Sequence, residues 1–274
     1  MAEVLEYVAF ATDPAGGNPA GVVLDADDLD DAAMLAIAAE LGHSETAFLS
    51  RVEPGAARIR YFTPRAEIAF CGHATIASIV VLAERGAQRT VVLRTNAGDV
   101  PVEAHDGRAT LLAVDPPVEP LPADLLDELL AALRLTRERL DPALPPALVH
   151  GGNTHPLVAV ADAAALDGLD HDAPVLLALQ DREGWDGTTP VVLRTSATTF
   201  ESRNPFPRGG IREDPATGSA AAGLGAYLRA GGHVETPATV TVHQGRHVGR
   251  PSVLEVAIPA SGRISVTGTA VPLA

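Results

Sequence analysis

Apolar positions along this chain fall into two kinds of segment. Short runs rich in Val, Leu and Ile, bounded by Gly, Pro and Asn, read as strands: VVLRT at 91–95, RATLLAVD at 108–115, PVVLRTSA at 190–197, ATVTVHQ at 238–244, SVLEVAIP at 252–259 and RISVTGTAV at 263–271. Two longer segments, 73–85 and 217–230, consist largely of small and apolar residues and are each followed by a glycine, Gly86 or Gly231, which predicts two small-residue helices. A third segment, LLDELLAALRLTRERL at 125–140, is amphipathic. It lies in a proline-containing stretch, 116–150, that reads as a connection with a helix at its edge.

The chain also echoes itself. GGNPAGVVL at 16–24 resembles GGNTHPLVAV at 151–160, RYFTPRAEIAFCGHATIAS at 60–78 resembles RNPFPRGGIREDPATGSAAAG at 203–223, and TNAGDVPVE at 95–103 resembles HQGRHVGRPSVLEV at 243–256. Gly17 and Gly152, Cys71 and Asp214, and Gly98 and Gly245 stand 135, 143 and 147 residues apart, so order is kept while the spacing drifts slowly. One pair could match by chance in a Gly/Ala-rich chain; three pairs in register predict a duplicated unit. The expected halves are 1–118, joined by a C-terminal strand of about 263–274, and 119–262. That last strand has no counterpart in the repeat and is free to cross back to the first half.

Composition narrows the function classes. With 274 residues, 46% of them hydrophobic, the chain can bury a large core. Its formal charge of -15, without a basic run, argues against nucleic acid or an anionic membrane as a partner. No apolar run approaches the roughly 18 residues that span a bilayer, and no basic segment followed by an apolar one opens the chain, so a cytoplasmic protein is expected. The single cysteine, Cys71, leaves no internal disulfide and no cysteine-rich metal centre. There is no lysine, which closes pyridoxal-phosphate aldimines, Schiff-base aldolases and Walker-type phosphate loops to this chain.

What remains is chemistry at the two helix mouths. The first amides of a helix lack intrahelical acceptors, and small side chains let an anion come close to them. If the halves repeat about a pseudo-twofold axis, both mouths would meet at a cleft able to grip a carboxylate. REDPATGSAAAG, at 212–223, places two acids ahead of one mouth, where Asp214 could serve as a cap or as a catalyst. Glu45, in HSETAFL, shares one face of an expected strand with Ala47 and Leu49, an odd neighbourhood for a surface carboxylate. The remaining histidines show no ligand spacing, so no metal site is expected.

GNPAGVVLDADDL, LGHSETAFL, YFTPRAEIAFCGHAT and EDPATGSAA, in this order, resemble the signatures of the PhzF-like phenazine-biosynthesis isomerase family over most of the chain, least at 116–150. The resemblance implies an α/β (α+β) diaminopimelate epimerase-like fold: two pseudo-twofold-related halves, each a mostly antiparallel strand barrel around a central helix, and a homodimer. It implies a cofactor-independent isomerase that transfers a proton on a small carboxylate, similar to the isomerisation of trans-2,3-dihydro-3-hydroxyanthranilate. Glu45 is then the acid/base, with His73 and Asp214 as catalytic partners. Asn18, Gly72, Ala74, Thr75, Gly218 and Ser219 are expected to bind substrate, Ser219 through its hydroxyl or its amide. Epimerases of the wider superfamily use two cysteines; here Asp214 echoes Cys71, so a two-thiol mechanism is impossible. Two other readings stay open, an amino-acid epimerase or racemase and a non-catalytic carboxylate-binding protein.

Overall fold

The computed structural model describes residues 2–86, 89–113 and 117–273. It divides into two compact units, one of residues 1–112 with 267–274 and one of residues 113–266. In the first unit the chain runs through β1 (Glu3–Ala9), β2 (Asn18–Leu24), α1 (Asp31–Leu41), β3 (Glu45–Glu53), β4 (Ala56–Phe62), the short β5 (Glu67–Ile68), α2 (Gly72–Glu84), β6 (Thr90–Thr95), β7 (Gly98–His105) and β8 (Arg108–Leu112). In the second it runs through β9 (Val118–Pro120), α3 (Ala123–Leu133), β10 (Ala147–His150), β11 (Thr154–Val160), α4 (Ala163–Asp167), α5 (Ala173–Glu183), β12 (Val191–Arg194), β13 (Thr199–Arg203), α6 (Gly218–Ala230), β14 (Ala238–Gln244) and β15 (Ser252–Ile258). A last strand, β16 (Ser265–Pro272), begins at the end of the second unit and finishes in the first.

The first unit is a closed barrel. Its strands follow the order β1-β2-β3-β4-β6-β7-β8-β16, and β16 returns to β1 with Tyr7 opposite Pro272 and Ala9 opposite Ala270. The final strand does cross back, and it leaves β1 no free edge. In the second unit the order is β9-β10-β11-β12-β13-β14-β15. Each unit contains two parallel pairs, β2 with β3 and β4 with β6 in the first, β11 with β12 and β13 with β14 in the second. A parallel pair needs a crossover, and helices supply it in the same places: α1 between β2 and β3, α2 between β4 and β6, α4 with α5 between β11 and β12, and α6 between β13 and β14. The same succession of elements in both units is the structural form of the sequence echo.

The two small-residue helices fall where the composition predicts them. Every residue from His73 to Leu82 of α2 is buried, and α6 is buried along most of its length. Small side chains there are a packing requirement: a Cβ on Gly223 would lie 2.6 Å from a methyl of Val149 on β10, and one on Gly225 would lie 2.7 Å from Val256 on β15. The amphipathic segment at 125–140 behaves differently from its pattern. α3 stops at Leu133 because Arg134 turns left-handed (φ +54°), with its amide bonded to the Ala131 carbonyl and that of Leu135 to Leu130. The apolar periodicity continues because Leu133, Leu135 and Leu140 all pack into one cluster with Leu129, Leu176 and Trp185, whatever the backbone does between them.

Helices α1 and α5 were not anticipated from the apolar pattern. Asp30 caps α1 by accepting from the Ala33 amide, Asp172 caps α5 at Val175, and left-handed Gly42 and Gly184 end them. PVVLRTSA is a strand only over 191–194; residues 114 and 115 of RATLLAVD lie outside the described residues. Among the described residues no helix is long and apolar enough to cross a membrane.

Candidate active site

In the first unit, β3 lies between α1 and α2, so both of its faces are covered. Phe48 joins Met34 and Ala38 of α1 in one cluster, and Ala47 and Leu49, on the opposite face with Glu45, are fully buried. The sequence alternation therefore separates two apolar faces, with Glu45 at the first position of the face directed toward α2. Its carboxylate Oε2 stands 3.4 Å from Nε2 of His73, with only 15% of the Glu45 side chain and 7% of the His73 side chain exposed.

His73 is the second residue of α2. Its ring is bounded by the Asn18 side-chain amide, 3.2 Å from Nδ1, by the Ser44 hydroxyl, 3.4 Å from Nε2, and by Cys71, whose Sγ is 3.4 Å from Nδ1. Burial holds the imidazole below its ordinary pKa; the Glu45 charge and a hydrogen bond with the Pro19 carbonyl oppose that shift without cancelling it. A neutral ring can hydrogen-bond to developing negative charge without carrying a full positive charge into the interior.

Of the residues expected to bind substrate in this unit, Asn18, Gly72 and Ala74 lie around the amino end of α2. By helix geometry the amides of Gly72, His73 and Ala74 have no intrahelical acceptor. Thr75 is different. Its hydroxyl donates to the Cys71 carbonyl at 2.6 Å and pairs with the Tyr61 hydroxyl at 2.6 Å in a fully buried position, so it braces the helix and is not available to a ligand.

In the second unit, Asp214 and Ser219 flank the amino end of α6. One Asp214 oxygen accepts from the Thr217 hydroxyl at 2.5 Å, and the Asp214 carbonyl accepts from the Gln244 side chain at 2.7 Å. Gln244 also accepts from the Thr217 amide at 3.2 Å, so the turn that opens the helix is held by an Asp–Thr–Gln network. Gly218 is buried and Ser219 is half-buried. Gly151 packs against this turn so closely that a Cβ there would sit 1.9 Å from the Ser219 carbonyl oxygen.

His155, dismissed from the sequence for want of ligand spacing, decides what Ser219 can do. Its Nδ1 lies 3.0 Å from the Thr188 carbonyl, which can only accept, so Nδ1 carries the proton. Burial pulls the ring down to about 4, leaving Nε2 an unprotonated acceptor at neutral pH. Ser219 Oγ is 3.0 Å from that Nε2 and must donate to it. The hydroxyl therefore offers only lone pairs to a ligand, and the Ser219 amide, one of the two groups expected to donate, is the one left to do so. No sequence signal marks this network, because Thr188 and Ser219 lie 33 and 64 residues from His155.

Each unit thus sets a side chain from its second strand, or from the start of the equivalent strand, against the second residue of its central helix: Asn18 against His73, His155 against Ser219. The structure brings Asn18, Glu45 and His73 together in one unit and Asp214, Gly218 and Ser219 together in the other.

The family model for phenazine biosynthesis-like proteins matches residues 7–274. An uncharacterised isomerase of Salmonella typhimurium, YddE, is 37% identical over 99% of this chain and 96% of its own length. The trans-2,3-dihydro-3-hydroxyanthranilate isomerase of Pseudomonas chlororaphis is 33% identical over 90% of this chain and 86% of its own. A PhzF-family protein of Bacillus anthracis superposes with a TM-score of 0.86 at 26% identity, covering 99% of this chain and 98% of that one. A probable proline racemase of Agrobacterium radiobacter, 16% identical with a TM-score of 0.67 over 99% of this chain and 91% of its own, shares the fold. Closed barrel, central helix and matched relatives agree: the chain belongs to the phenazine biosynthesis-like family and is an isomerase with a diaminopimelate epimerase-like fold.

Proposed function

We propose that the protein moves a proton between carbon atoms of a small carboxylate without a cofactor, with Glu45 as the group that takes the proton and returns it. The observation that carries this reading is the placement of Glu45: a carboxylate on the α2 face of a strand covered on both sides, 3.4 Å from a neutral, buried histidine. Glu45 would remove a proton from carbon, the released electron pair would delocalise toward the substrate carboxylate or an adjacent double bond, and protonated Glu45 would deliver the proton to a second carbon. His73, with Asn18 behind it, is assigned the hydrogen bond to the developing charge, and the amides at the amino end of α2 the binding of a carboxylate. Asp214 is assigned a second catalytic position. The absence of lysine supports a route without an internal pyridoxal aldimine. The proposal extends to a cytoplasmic homodimer, which light scattering after gel filtration tests by giving twice the mass of the chain.

The deciding experiment is proton NMR in deuterium oxide with trans-2,3-dihydro-3-hydroxyanthranilate and a panel of small amino acids, comparing wild type with Glu45→Gln. Wild type should place deuterium on carbon, and the variant should do so about 10²- to 10⁴-fold more slowly. Double-bond migration without inversion distinguishes a proton shift from epimerisation. Turnover unchanged in Glu45→Gln would remove Glu45 from the mechanism.

A further inference from the structure

Three chemically different ligand types converge at the amino end of α2. A carboxylate oxygen of Glu45, Sγ of Cys71 and a ring nitrogen of His73 all lie within 4.8 Å of one another. From the ring's Nε2, Glu45 Oε2 stands at 3.4 Å and Cys71 Sγ at 3.9 Å, the sulfur being nearer Nδ1 at 3.4 Å. A tetrahedral zinc ion, with bonds of about 2.0 Å to nitrogen and oxygen and about 2.3 Å to sulfur, sets its ligands about 3.3 Å apart for nitrogen and oxygen and about 3.5 Å apart for nitrogen and sulfur. Two of the three pairs are already close to those values. The third pair, Glu45 with Cys71, lies within the same 4.8 Å, and the Glu45 carboxylate, at the start of β3, is the most exposed of the three and the one with room to turn.

The charge balance favours the same conclusion. A divalent cation held by one thiolate, one carboxylate and one neutral imidazole is a net-neutral set, which a nearly buried position tolerates far better than an isolated ion. A thiolate in the donor set selects zinc or a similarly soft ion over magnesium or calcium.

We propose that Glu45, Cys71 and His73 form a binding site for zinc or a comparably soft divalent cation, and that filling it switches the isomerase off. Binding displaces the Cys71 thiol proton to solvent and forms bonds to Sγ, to the His73 ring nitrogen and to a Glu45 oxygen. The inhibitory half rests on the proton-transfer reading of Glu45, because the metal would occupy the lone pair that reading needs. The binding half does not. The proton-transfer reading gives Cys71 no role, so its substitution separates the two.

The test is calorimetric titration of the full chain with Zn²⁺, and with Co²⁺ followed by absorbance, for wild type, Cys71→Ser and Cys71→Ala, alongside the deuterium-exchange assay. Wild type should bind one zinc per chain with a sulfur-to-cobalt charge-transfer band, and both variants should lose that band and bind about a hundredfold or more weakly, since loss of a direct ligand exceeds even the loss of an outer partner. Added zinc should inhibit wild type, reversibly with a chelator, and leave the variants active. Zinc binding of equal strength in all three proteins, or a cobalt complex without the sulfur band, would overturn the site. A sulfur-ligated complex that turns over substrate normally would keep the site, overturn the switch and remove Glu45 as the proton carrier.

Discussion

Lowering pH should weaken the second unit through His155, and the size of the effect follows from the structure. The ring is buried, its Nδ1 proton is bound to Thr188 and its Nε2 to Ser219, and its folded-state pKa is pulled from 6.5 to about 4. A histidine with a depressed folded pKa contributes fully above the unfolded value; as pH falls below 6.5 the unfolded chain takes up a proton that the folded one refuses, and the loss levels off only below the folded value. Linkage gives a loss of about 2.5 kcal/mol between pH 7.5 and 4.5. Trp185, the chain's single tryptophan, is buried in the same unit and reports on its unfolding. Urea denaturation followed by its fluorescence should show wild type losing about 2.5 kcal/mol more over this interval than His155→Gln, which cannot titrate there. His73, His171 and His233 are also depressed by burial and steepen both curves alike, so the difference isolates His155. Parallel pH profiles for the two proteins would refute the buried, neutral ring and with it the acceptor role assigned to Ser219.

Other outcomes follow from packing and pairing. Gly151→Ala drives a methyl into the Ser219 carbonyl and should cost about 1–3 kcal/mol by urea denaturation while raising KM, whereas Gly152→Ala meets nothing but needs φ +110° and should leave KM unchanged. Leu129→Ala and Leu133→Ala, both fully buried, should each lose about 2–5 kcal/mol. Arg203 and Glu213 form a buried ion pair, so Arg203→Met should destabilise by about 3–5 kcal/mol, with Arg203→Met/Glu213→Leu recovering most of it.

How far the sequence could be read depends on whether a feature is local. The strands at 238–244 and 252–259 and the two small-residue helices were visible because composition, periodicity and glycine stops lie in the same few residues. Helix α1 was hidden by its own composition: in DAAMLAIAAEL only Met34 and Ala38 are buried, so no clear stripe stands out, although Asp30 and Gly42 announced both ends. α5 carried the same unread signals in Asp172, Pro174 and Gly184. The Glu45 and His73 pair came from resemblance, since nothing local joins residues 28 positions apart. The resemblance puts Thr75 among the binding residues, yet its hydroxyl is engaged by Tyr61 of β4 and by the Cys71 carbonyl, contacts that no local pattern announces.

The closing strand also sets a timetable. β1 holds residues 3–9 and its antiparallel partner residues 270–272, so every residue of the second unit is made between the two. While that stretch is made, the first unit waits with β1 unpaired along one side. Such a wait exposes an edge that invites pairing with another nascent chain, and it makes ring closure an event of large sequence separation and a correspondingly slow rate. A chain halted at residue 266 would hold a first unit that can never shut.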